Sequence, residues 1–124
     1  EDELWVLLRL DPQQLPTGDI PVVPGALYTR FAHNVIEAHT AVGALKTGKK
    51  HSTYSLRYPA LQRALHIHFD SQFPHIIRSW EETSGGDTTK AVLSHRIMNS
   101  NYWSEHQPGD RVKRISLGLA PIAD

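Results

Sequence analysis

"TYSLRYPALQRALHIHFD", residues 53–70, decides how this chain is read. Tyr54, Leu56 and Tyr58 alternate with polar residues as on a half-buried strand, and Pro59 closes the run. Leu65, Ile67 and Phe69 then alternate with Ala64, His66 and His68, so two strands joined by "PALQ" predict a hairpin. A helical reading of residues 60–70 also fits, because Leu61, Leu65 and Phe69 stand four apart.

Outward from this hairpin, "LWVLLRL" (residues 4–10) is a short apolar run between acids and Asp11-Pro12, and reads as a buried first strand. Residues 11–25 hold four prolines and two glycines and read as a long extended connection. Over residues 26–46, Leu27, Phe31, Val35, Ala38, Val42 and Leu45 form one stripe at helical spacing, with Gly48 as a stop. Residues 73–82 predict a short helix, with Pro74 in its first turn and Ile76, Ile77 and Trp80 on one side. "TSGGD" ends it, residues 90–98 read as a strand, residues 99–110 as a loop, and residues 111–119 as a last strand.

This order predicts one α+β domain over residues 1–124, a mainly antiparallel sheet with two helices on one face. The order is similar to a ferredoxin-like arrangement, a coarse pattern shared by many functions. The length suits a single core. The chain opens with Glu1 and no Met, which reads as a processed protein or a domain excised from a longer chain.

Thirteen basic residues balance thirteen acidic ones, so no overall field draws the chain onto polyanions. The charge is nevertheless polarised: residues 1–24 carry −4, residues 25–68 carry +5, residues 69–89 carry −3 and residues 90–124 carry +2. With no cysteine, disulfide frameworks, thiolate zinc sites and cysteine nucleophiles are excluded, and a reducing, cytoplasmic location is expected. No apolar stretch approaches the roughly 20 residues a membrane helix needs, so no membrane partner is expected.

Three patterns suggest chemistry. "GKKHSTYSLR" (residues 48–57) combines Lys49, Lys50 and Arg57 with Tyr54, the mix that neutralises phosphates and stacks bases, and Tyr58 is a second candidate for stacking. "RVKR", with Arg111, Lys113 and Arg114, adds a second basic strand that completes a groove if it lies beside the first. The bland reading of the first cluster is a solvated turn after a helix end.

The third pattern is His66, His68 and Asp70. Imidazoles and a carboxylate are suitable donors for a divalent metal, and on a strand all three share one face. Side chains about 7 Å apart along a strand need a further ligand from elsewhere, such as His75 or His95. The plainer alternative places both histidines on the polar side of a strand whose Leu65, Ile67 and Phe69 face the core. The His-hydrophobe-His strand resembles the metal motif of rolling-circle replication nickases and relaxases. That resemblance implies paired histidines holding a metal and a tyrosine, here Tyr102, attacking a phosphodiester. Where the replication-initiator pattern has a lysine three positions after the tyrosine, this chain has Glu105, so the likeness is confined to a few residues.

The chain lacks Gly-x-Ser-x-Gly and the phosphate-cradling Gly-x-x-x-x-Gly-Lys-Ser/Thr motif, so a non-enzymatic role is favoured. The expected function is a nucleic-acid-associated module that requires no cofactor. The alternatives are a protein-interaction or self-associating assembly domain and, third, a histidine-dependent phosphodiesterase.

Overall fold

The computed structural model describes residues 1–119. Contacts divide the chain into two compact units, Glu1–Val92 and Leu93–Asp124. The first unit is an α+β arrangement: α1 (Asp2–Leu10), β1 (Gly18–Val22), α2 (Ala26–Phe31), β2 (His39–Lys46), β3 (His51–Tyr58), β4 (Arg63–Asp70), β5 (Ile77–Ser84) and β6 (Asp87–Val92). The six strands form one sheet in the order β1-β2-β3-β4-β5-β6, and every neighbouring pair is antiparallel. Each strand simply returns beside the one before it.

The 53–70 hairpin forms as its alternation predicts. Tyr54 pairs with Ile67 and Leu56 with Leu65, while Gln62 takes a left-handed conformation in the connection. Tyr54, Leu56, Tyr58, Leu65, Ile67 and Phe69 all point to the inner face and are buried there with Leu4, Leu8, Leu15 and Ala41. The Tyr54 hydroxyl donates to the Pro16 carbonyl at 2.8 Å, and burial pushes its phenol up to about 12.

Several sequence expectations are corrected. Residues 4–10 are not a strand but most of α1: Leu4 and Leu8, four apart, are its buried positions, and Asp2, Glu3 and Arg9 complement its dipole. Within the 11–25 connection lie a 3-10 turn at Pro12–Gln14 and edge strand β1. The 26–46 helix stops at Phe31, His33 turns left-handed, and β2 follows from His39. Ala41, Gly43 and Leu45 face inward at period two, so sheet pairing overrides the helical spacing.

Residues 73–82 are likewise not a helix. Pro74 follows a cis peptide bond in a turn, and Ile77–Ser84 is strand β5, hydrogen-bonded to β4 and β6. "TSGGD" is the β5–β6 turn, where Gly85 and Gly86 both adopt positive φ. The strand predicted over 90–98 runs earlier, as Asp87–Val92.

In the second unit, residues 111–119 are not a strand. A 3-10 helix spans Pro108–Leu117, opened by reciprocal hydrogen bonds between Gln107 and Asp110 and closed by Gly118 at φ +70°. Tyr102–Ser104 form a 3-10 turn within the predicted loop. Among the described residues, no helix is long and apolar enough to cross a membrane.

Candidate functional site

Alternation puts the remaining side chains of the central strands on the outer face of the sheet. His51, Thr53, Ser55 and Arg57 project from β3, and His66, His68 and Asp70 from β4. Cross-strand register sets them in rows. Ser55 lies opposite His66, His66 opposite Glu81 and Glu81 opposite Lys90; Thr53 lies opposite His68, and His68 opposite Ser79.

The rows fix the imidazoles. Ser55 Oγ is 2.9 Å from His66 Nδ1, and Thr53 Oγ1 is 3.0 Å from His68 Nδ1. Both rings remain half-exposed, with no hydrogen-bond partner at Nε2 among the described residues. Glu81 bonds Lys90 at 2.7 Å; that bond, with the charges of Lys90, His66 and His68, holds its carboxyl below the ordinary range.

Ser55, His66 and Glu81 are the residue types of a hydrolytic triad, but the geometry does not assemble one. Glu81 turns to Lys90 and lies beyond ion-pair distance of His66, and the residues sit on an open sheet face.

The metal expectation separates in the same way. His66, His68 and Asp70 do share a face, but Arg78 grips Asp70 through three contacts of 2.7–3.1 Å, and His51 lies 3.3 Å away. The Arg78 hydrogen bonds are the main reason the Asp70 carboxyl is held low. His75 bonds the Asp70 carbonyl and packs against Phe69, and His95 belongs to the second unit, against Gly118. Among the described residues, no group of three His, Asp or Glu side chains is placed to hold a metal. Tyr102 and Glu105 also belong to the second unit.

The basic residues divide as well. Lys49 and Lys50 lie in the exposed β2–β3 connection, and Arg57 is exposed on the outer face. The same face carries Lys46, opposite Thr53. Among the described residues, none of these four cations has a carboxylate within ion-pair distance. Tyr54 and Tyr58 point inward and are fully buried, which removes both from any stacking role. Arg111, Lys113 and Arg114 lie on the 3-10 helix of the second unit, so the expected pair of basic strands does not form; Lys113 is bonded to Glu105 and Asp110.

Sequence reading missed the strongest polar cluster. Arg63, only 1% exposed, donates to both oxygens of Glu1 at 2.5 and 2.8 Å and to Glu82 at 2.7 Å, and lies over the rings of Tyr28 and Tyr58. The signal was present, since Arg63 has the same parity as Leu65, Ile67 and Phe69. Burial alone pushes the Glu1 carboxyl up, but Arg63 and the Tyr58 hydroxyl outweigh it and hold it below its ordinary value. This network fastens α1 and α2 to the inner face; it is a structural element.

Compared with known proteins, the chain matches no family model, no curated protein and no solved structure.

Proposed function

We propose that this protein is a nucleic-acid-associated module that binds a single-stranded phosphate backbone across the outer face of its sheet. The observation that carries the reading is the set of four cations, Lys46, Lys49, Lys50 and Arg57, that have no carboxylate partner among the described residues, beside two anchored imidazoles. Phosphates would contact the cations, and His66 and His68 would offer flat rings and Nε2 groups to bases, the role expected of tyrosines from sequence alone. An open sheet face suits an extended strand better than an enclosed active site.

The test is fluorescence anisotropy of a labelled single-stranded oligonucleotide across a salt series. Binding is expected to weaken with salt, with a log–log slope of about −2 to −3 for three or four phosphate contacts. The Lys49→Ala/Lys50→Ala double variant should reduce the slope by about one or more, whereas His66→Ala/His68→Ala should lower affinity with little change in slope. Affinity that does not change with salt defeats the proposal.

A second reading, a protein-interaction surface, is favoured by a separate observation. Leu27, Phe31, Val35 and Ile36 are all exposed in and just after α2, with Phe31 at 76%. Sedimentation at two concentrations separates self-association from a monomer.

A further inference from the structure

The inner side of the first unit leaves a cleft of about 380 Å³ between α1, the start of α2 and the sheet. Its apolar walls are Trp5, Trp80, Leu27, Tyr28 and Leu65, and the two indoles meet edge to face at 6.3 Å. Its charged side chains are Glu1, Asp2, Glu82 and Arg63. The Arg63 charge is already committed, because its Nε and one N–H of each terminal nitrogen donate to the carboxylates of Glu1 and Glu82. Two carboxylates already share its charge, so it does not make the cleft attractive to an anion.

The acceptors are not spent. Arg63 engages only one oxygen of Glu82, whose side chain is 23% exposed, and Ala26 engages only one oxygen of the exposed Asp2. Three carboxylates against one guanidinium leave the cleft's side chains negative beside electron-rich indole faces. Aromatic walls attract a cation through the ring quadrupole, and carboxylate oxygens add charge-assisted hydrogen bonds to an N–H donor.

We propose that this cleft binds an organic cation, an amidinium, guanidinium or ammonium group carried on a flat or apolar body. Its apolar part lies against Trp5 and Trp80, and its N–H donors reach Glu82 and Asp2. The site is on the opposite side of the sheet from the cationic face and does not depend on nucleic-acid binding.

Benzamidine is the probe, with benzamide and benzoate as neutral and anionic counterparts of the same shape. The readout is the indole N–H resonances of Trp5 and Trp80, with Trp103 of the second unit as internal control. Benzamidine should shift Trp5 and Trp80 saturably and leave Trp103 in place, with benzamide about tenfold weaker and benzoate weaker still. Glu82→Gln, which keeps an acceptor for Arg63, should weaken benzamidine about threefold to tenfold without affecting benzamide. Should that variant unfold, Asp2→Asn at the exposed rim is expected to act in the same direction. An acetylated, amidated Leu-Arg-Leu peptide distinguishes the source. Binding at least as tight as benzamidine assigns the site to an arginine of a partner chain, and binding by benzamidine alone assigns it to a free small cation. Equal affinity for benzamidine and benzamide, or no saturable shift at Trp5 and Trp80, or an equal shift at Trp103, overturns the proposal.

Discussion

Arg63 illustrates how one residue joins the parts of the first unit. Its guanidinium ties Glu1, before α1, to Glu82 on β5, and it packs between Tyr28 and Tyr58. Removing one partner from a buried pair leaves the other charge without compensation. Arg63→Ala should therefore cost about 3–5 kcal/mol, read from urea unfolding at neutral pH. Arg63→Lys should also destabilise, because an ammonium cannot reproduce the forked contacts with two carboxylates. The pH dependence has a definite sign. Glu1 in the folded chain titrates below its ordinary value of 4.5, so its contribution is complete above that value and is lost as pH falls through the lower folded one. The gap between Arg63→Ala and the parent should be widest near neutral pH and narrow on acidification. A gap that widens in acid would contradict the assigned role.

At the scale of elements, β2 depends on the absence of a side chain at one point. A Cβ built on Gly43 would stand 2.5 Å from the Pro16 carbonyl oxygen and 3.0 Å from the Tyr54 hydroxyl, the two atoms of the hydrogen bond that anchors β3 to the loop before β1. Gly43→Ala must push that loop away, and should cost about 1–3 kcal/mol in thermal or urea unfolding. Gly85→Ala offers a contrast, since a Cβ there meets nothing within 4 Å and only its φ of +57° opposes the change. It should cost about 1 kcal/mol through left-handed backbone strain alone. If Gly43→Ala is as mild as Gly85→Ala, the close approach at Gly43 does not control the loop.

For the whole molecule, every member of the buried core cluster falls between Leu4 and Phe69, within the first unit. Residues 1–92 alone should unfold in one cooperative transition followed by circular dichroism and tryptophan fluorescence together. Transitions that differ between the two probes would show that the core needs residues beyond Val92.

What the sequence by itself determined is the side-chain parity of the central hairpin, although the four-residue spacing of Leu61, Leu65 and Phe69 leaves a helix open over residues 60–70. Strict alternation over residues 53–58 and 63–69 admits one inner and one outer face, because side chains two apart on a strand share a side. The outward placement of His66, His68 and Arg57 follows from that parity, whereas the α+β class is read from the order of elements and Lys49 and Lys50 are expected after a helix end, not between two strands. The acids before "LWVLLRL" and Arg9 near its end carry a helix signal that the strand reading of this short apolar run passes over.

Tertiary structure decided the rest. Leu27, Phe31 and Val35 make a convincing helical stripe, yet all three are exposed, because the core is filled by α1 lying across the sheet. Residues 39–46 became a strand because β1 and β3 supply hydrogen-bond partners on both sides, and 77–84 because β4 and β6 do. The roles of charged residues depended on distant neighbours in the same way. Arg63 is buried because Glu1 and Glu82 converge on it, and Asp70 is unavailable to a metal because Arg78 and His51 reach it first. Local spacing carries side-chain parity; which partner meets each face is set by contacts far apart in the chain.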